Sequence, residues 1–302
     1  MQVIEPVTIT DSLLTSSNVP EDDYSAWASG TTYNLGDRVI STTTHKVYES
    51  ATNSNVGNDP TTDNGTNWIT VGATNRWKAF DQKISDPVTQ ANSIQYVITT
   101  TTNLINSLAF FGLEADTVQI VVVETTGSTT VYDKTYQLQD TTDVINWYTY
   151  FFTGATVKDK ELLVVDLPSY TGAEITVTIT DTGNTVEVGQ IVLGTLTSLG
   201  RTGYGTTIGI EDYSRKERDT FGNAIIIERA FAQKADFEVE LTTQDARRIQ
   251  RVLALYRATP IVWIGNQDTS YGLILYGFYT QFTINLSTPS VSYATIEVEG
   301  LT

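Results

Sequence analysis

Short apolar runs broken by Thr, Glu and Gln dominate the chain, and in many of them apolar and polar positions alternate. Residues 118–124 (VQIVVVE), 161–166 (ELLVVD) and 174–180 (EITVTIT) are rich in β-branched side chains. A period of two puts successive side chains on opposite faces, so these runs predict half-buried strands. Gly127, Gly154, Gly172 and Gly183 lie between or just beyond them as turn residues. This recurrence over 76–200 predicts a two-sheet sandwich. Strands are also predicted at 224–228, 237–241, 271–277 and 293–299. One segment changes period. At about 244–257, Ile249, Val252, Leu253 and Tyr256 recur at helical spacing, Asp245 falls in the first turn, and Thr242 or Thr243 can cap. Arg247, Arg248 and Arg251 fall off the apolar face, as a solvated or subunit-pairing surface would require.

Charge divides the pattern. The 302 residues carry 18 Lys and Arg against 35 Asp and Glu, a net of 18 − 35 = −17. Residues 1–200 hold 23 of the acids and 8 of the bases, whereas 201–260 hold 10 bases and 9 acids. That step, with glycines at 200, 203 and 205, predicts a domain boundary near residue 200, and a second break falls near 72–76. An acidic chain lacks the cations that neutralise phosphates, so neither nucleic acid nor an anionic membrane surface is an expected partner. No apolar run approaches the roughly 20 residues that cross a bilayer. Met1 opens no secretory signal, and synthesis in a cytoplasm is expected. There is no cysteine and a single histidine, His45, expected in a surface turn. Thiolate chemistry, His-rich metal sites and a Ser-His-Asp triad elsewhere in the chain are thereby disfavoured.

Residues 26–72 carry an ordered set: Ala26 and Trp27, Tyr33, then Gly36, Asp37 and Val39, then Tyr48, and finally Trp68. This order resembles small chitin- and cellulose-type carbohydrate-binding modules. The resemblance implies a tiny β-domain whose glycan-contact candidates are Trp27, Tyr33, Tyr48 and Trp68. The stretch after Tyr48, residues 49–54 (ESATNS), lacks the further aromatics of the family's sugar platform. The same four rings equally suit a core, and weak or no chitin binding is expected.

Residues 76–81 (RWKAFD) and 187–194 (EVGQIVLG) resemble the first and last segments of galactose-binding-like sandwiches. Asp81, Asp86, Asp116, Asp181 and Glu187 could include calcium ligands, but no EF-hand-type spacing occurs, and solvated loop acids are expected.

From 211–222 (EDYSRKERDTFG), through the helix, 259–265 (TPIVWIG) and 275–278 (LYGF) to 296–301 (IEVEGL), the order of segments resembles distal-tail and tail-tip proteins of long-tailed bacteriophages. The resemblance implies a virion structural protein, closing into a ring of six copies that joins tail tube to fibres and other tail-tip proteins. A glycan-contacting role towards the host surface would accompany the attached modules. Oligomer-interface candidates are Arg215, Lys216 and Arg218, in a stretch of alternating charge, and Tyr271, Tyr276 and Tyr279, in an aromatic-rich one that could equally fill the core.

No G-x-S-x-G, Walker, H-E-x-x-H or dinucleotide fingerprint occurs. Glu21, Asp22 and Asp23 could supply a glycosidase pair only if folding set the spacing. The expectation is a mainly β, multi-domain, non-enzymatic protein without metal or cofactor. Its segments are 1–24, a carbohydrate-module-like domain at 25–75, a jelly-roll-like sandwich at 76–200 and a tail-type β-domain with one helix at 201–302. A free carbohydrate-binding protein or accessory module is the alternative.

Overall fold

The computed structural model describes residues 1–100, 102–138, 158–218, 220–267 and 272–301. The chain is mainly β, with 53% of it in strands against 7% helical. The largest sheet has ten antiparallel strands, and a curled half-barrel is among the sheets. The path of the largest sheet begins with β10 (Glu161–Val164), β7 (Ser107–Phe111), β12 (Gln190–Ser198) and β1 (Gln2–Pro6). It continues through β18 (Ile261–Ile264), β19 (Ile274–Asn285), β20 (Val291–Gly300) and β17 (Phe231–Thr242). Along its far edge β17 receives both β13 (Arg201–Thr202) and β14 (Thr207–Asp212).

A five-stranded sheet packs on one end of this sheet. Its order is β2 (Leu14–Ser17), β6 (Val88–Thr100), β11 (Ala173–Val188), β8 (Thr117–Glu124) and β9 (Thr129–Gln137). Period-two alternation sends Ile94, Tyr96, Ile98, Val118, Ile120, Ile175 and Val177 inward to meet Leu108, Phe110, Ile191 and Leu193 of the large sheet. The expected strands at 118–124, 161–166 and 174–180 therefore exist, and the sandwich geometry buries their apolar sides. Gly154 and Tyr271 lie outside the described residues.

At the other end of the large sheet, α1 (Ala246–Leu255) covers Trp263, Phe237 and Ile296 with Ile249 and Leu253. The helix is entered through a 3-10 turn, Thr243–Asp245, rather than a side-chain cap to the backbone. Thr242 Oγ1 bonds Asp245 Oδ2 at 2.5 Å instead, and Arg248 Nε stands 3.0 Å from Asp245 Oδ1.

Between the two ends lies β1. It pairs with β12 on one side and β18 on the other, Ile4 opposite Leu196 and Val262. Strands from 76–200 and from 201–302 thus belong to one continuous sheet, and the composition step at residue 200 coincides with no break in it. Residues 1–24 supply a strand to each of the two main sheets.

The remaining sheets are small. β3 (Arg38–Ser41), β4 (Lys46–Ser50) and β5 (Trp68–Ala73) form a three-stranded meander. Gly36 enters it at φ +89°, while Asn34 N–H donates to Asp37 Oδ2 at 2.6 Å, so the Gly-Asp pair makes a tight turn. β15 (Arg215–Arg218) and β16 (Ala224–Ile227) pair only with each other, as a hairpin that prolongs the β14–β17 pair beyond the large sheet, with Tyr213 N–H donating to Ala230 O at 3.3 Å at the junction.

Candidate functional site

The four aromatic residues of the carbohydrate-module resemblance come together, but around a core. Tyr33, Tyr48 and Trp68 are buried, with Trp68 only 2% exposed, and Trp27 packs against them half-buried. Trp68 meets the Tyr33 ring edge-on at 5.2 Å, and its Nε1 donates to Asn58 O at 2.9 Å. Tyr33 Oη accepts from Ala28 N–H at 2.9 Å. A meander this small has no second layer, so its largest rings must fill its own interior, and three of the four present no open face for a sugar to stack on.

The interface candidates separate by location. Tyr276 is 4% exposed and stacks on Phe111 at 5.6 Å, inside the chain's own core. Tyr279 donates its hydroxyl to Leu253 O at 3.0 Å, tying β19 to the end of α1. Both tyrosines contribute to packing within the chain, Tyr276 fully and Tyr279 in part. Arg215, Lys216 and Arg218, by contrast, stand on the projecting hairpin and are exposed. Arg215 Nε pairs with Glu217 at 2.6 Å, Lys216 with Asp212 at 2.5 Å, and Arg218 donates to Gly222 O at 3.1 Å. The alternating charges are therefore partly satisfied within the hairpin and by the end of β14. Its opposite strand is apolar on both faces: Ile225 and Ile227 are each 47% exposed on one side, and Ile226 is 68% exposed on the other. Nearby on β14, Ile208 and Ile210 are exposed as well. Sequence reasoning took residues 224–228 for an ordinary strand, since an isoleucine run signals burial without saying in whose core.

Two of the acids weighed as calcium ligands do converge, but on a lysine. Lys158 Nζ lies 2.5 Å from Asp181, 3.1 Å from Asp116 and 3.8 Å from Glu114. Asp181 also accepts from Asn184 Nδ2 at 2.7 Å. The ammonium takes the central position a divalent ion would need. Of the others, Asp86 pairs with Lys78 at 2.6 Å. The acidic run at 21–23 is likewise structural: Glu21 accepts from Thr74 Oγ1 at 2.8 Å, and Asp23 accepts Asn75 N–H at 3.1 Å.

An open cleft with several polar groups in its walls lies where the small meander meets the rest of the chain. The cleft, of about 550 Å³, is walled by residues 9–11, the β3–β4 turn at 44–46, β5 at 70–73 and the 3-10 helix Asn75–Phe80 with its exit. His45 sits in the turn at φ +54°, the expected position, but its ring is only 17% exposed. It stacks on Trp77 at 4.0 Å, and its Nδ1 meets Glu21 Oε1 at 2.9 Å. Nε2 lies 3.0 Å from Asp11 Oδ1, out of line for a hydrogen bond. Asp81 takes a backbone N–H from Lys83 on Oδ1 and leaves Oδ2 without a partner. Burial pushes the Asp81 carboxyl up to about 6, against the pull of that N–H and of the Lys83 and Lys78 ammoniums. Among the described residues four buried side-chain atoms lack a hydrogen-bond partner, and three of them, His45 Nε2, Trp77 Nε1 and Asp81 Oδ2, belong to residues of this one cleft. An unmade buried bond costs about 1–3 kcal/mol, so such atoms do not gather by default. No spacing links positions 11, 21, 45, 77 and 81 in the sequence, and reading along the chain missed the cluster for that reason.

Compared with protein-family models, with curated proteins and with solved structures, the chain gives no significant match.

Proposed function

We propose that this chain is an architectural subunit of a bacteriophage tail tip, of the distal-tail kind, which assembles with copies of itself into a ring between tail tube and host-recognition proteins. One observation carries the reading: the β15–β16 hairpin prolongs the β14–β17 pair beyond the large sheet, with Tyr213 N–H donating to Ala230 O between them, and exposes isoleucines on both faces. A two-stranded arm with no layer packed on it is marginal in water, and exposed apolar side chains on both of its sides gain stability only against a partner. A second copy is the partner favoured here. The hairpin's open edges and exposed isoleucines would seat on a different face of the next copy, and a head-to-tail contact of that kind closes into a ring where its rotation closes. The order of segments resembling phage tail-tip proteins supports the same reading, as does a mainly β build with internally paired carboxylates. Its setting would be the virion, with other tail proteins as partners.

Native mass spectrometry or light scattering of the full chain tests it. The wild type should run as a closed oligomer. Ile226→Asp, at a position exposed in the single chain, should give a folded monomer with an unchanged circular-dichroism spectrum and a melting midpoint lowered by the loss of the subunit contact. A wild type that stays monomeric up to its solubility limit overturns the ring.

A further inference from the structure

We infer that the tip of the β15–β16 hairpin of one copy seats in a groove between α1 and the end of β19 on the next copy, with Phe221 as its anchor. The inference deepens the ring reading above and rests on it, because the occupant of the groove is a second copy of this chain. The donor is the turn that closes the hairpin, where Phe221 is 89% exposed. Aromatic rings are the usual anchors of an interface, and one held in water at the end of an arm gains by entering a pocket. The acceptor is a groove of about 460 Å³ lined by Ala246, Arg247 and Gln250 on α1 and by Phe282, Ile284 and Leu286 at and just beyond the end of β19. Its floor continues the core: Phe282 and Ile284 pack against the cluster under the helix, whereas Leu286 is 65% exposed. Arg247 stands exposed on the helix, while its neighbour Arg248 is held by Asp245. A guanidinium in that position covers the face of a phenyl ring that enters beneath it.

The placement of the two surfaces rules out a contact within one chain. The hairpin prolongs β17 beyond Phe231, its first residue, and the groove starts at Thr243, one residue past its last. The strand between them spans about 36 Å at ~3.3 Å per residue. The arm leads away from the sheet, so its tip lies farther still from the groove of its own chain. Donor and acceptor are thus different surfaces at opposite ends of one strand, which is the arrangement a head-to-tail contact requires. The area is sufficient as well. Phe221 and the three isoleucines of the arm, with Ile208, Ile210 and Phe231 at its base, are each 47% exposed or more. At about 200 Å² for a large apolar side chain, they leave roughly 800 Å² open, one partner's share of a stable interface.

The chain has no cysteine, so introduced thiols report one contact at a time. The test is disulfide trapping in the full chain carrying Phe221→Cys and Leu286→Cys together, both at exposed positions. Oxidation by copper–phenanthroline should give a covalent ladder of dimers and higher species on a non-reducing gel, and reductant should collapse it. Phe221→Cys alone should give no ladder. Nor should Phe221→Cys with Leu35→Cys, since Leu35 is 63% exposed on the turn into the small meander, away from the groove. Without oxidant, light scattering of Phe221→Ser and of Arg247→Glu should each show half-assembly at a concentration about tenfold or more above the wild type, as loss of an interface anchor does. A wild type that assembles while the double variant gives no ladder overturns this seating and leaves the ring standing. Dimers from Phe221→Cys alone overturn it too, because they place tip against tip. So does wild-type assembly in both Phe221→Ser and Arg247→Glu. A wild type that stays monomeric removes the ring and this contact together.

Discussion

At the scale of single residues, the buried carboxylate of Asp181 is the most exacting position. Its side chain is 2% exposed and its main partner is Lys158, which holds the carboxyl below its ordinary value of 3.8 with help from Asn184. Removing one member of a buried pair leaves the other charge uncompensated, at about 3 kcal/mol. Lys158→Met should lower stability by about that amount at pH 7, read as a shift in the denaturation midpoint, and Asp181→Asn in the same background should restore part of it. The sign with pH follows from the depressed carboxyl. The pair's contribution is complete above about pH 4 and is lost as pH falls through the folded value, so the wild type and Lys158→Met should converge in strong acid. A constant difference down to pH 2 would show that the pair is not its source. The sequence displayed Asp116 and Asp181 as acids but not their meeting, because 65 residues separate them and the lysine between them comes from a third segment. His45 teaches the same limit. Its place in a turn was legible from its neighbours, whereas its stack on Trp77 and its contacts with Glu21 and Asp11 depend on three separate stretches of chain.

At the scale of elements, legibility was high wherever the period was clean. The helix emerged close to its expected bounds because Ile249 and Leu253 have only one face to bury. The strands of the five-stranded sheet emerged because alternation admits a single register. What alternation cannot show is spacing between strands, and glycine sets that at Gly277. This residue of β19 lies opposite Gly300 of β20, and its carbonyl accepts from Trp263 Nε1 at 3.0 Å. A Cβ there would run into the Glu299 carbonyl and the Gly300 Cα, both backbone atoms that cannot turn aside. Gly277→Ala should therefore force β19 and β20 apart and cost about 3 kcal/mol, as overpacking of a fixed site does. Gly30, with nothing within 4 Å of its would-be Cβ, serves as the control, and Gly30→Ala should leave the midpoint where it is. Equal effects from the two substitutions would mean that helix or strand preference, not crowding, decides the outcome.

At the scale of the whole molecule, the charge step at residue 200 describes composition rather than folding units. The acidic two-thirds and the neutral third share a sheet, and the five residues of β1 are its seam. The alternation along β1 shows how. Val3 points into the cluster under α1 with Trp263 and Phe237, while Ile4 points to the opposite face with Ala109, Val192 and Val262. Ile4 thus touches strands contributed by both sides of residue 200, and neither side completes its share of that face alone. Nothing in residues 2–6 announced this role, since five residues are too few to show which partners a strand will choose. The small meander is different: its rings close on one another, and it meets the body chiefly through His45, Glu21 and the 3-10 helix. Cutting Ile4 to alanine should cost about 3 kcal/mol, the usual toll for truncating a fully buried isoleucine. Because the strand is shared, hydrogen exchange should accelerate together in peptides from β11 of the five-stranded sheet and from β17 and β20 beyond residue 200. Peptides from β3 and β4 should keep their protection, since their core contains no part of β1. Acceleration confined to one side of residue 200 would show that the two sides unfold separately and that β1 merely lies between them.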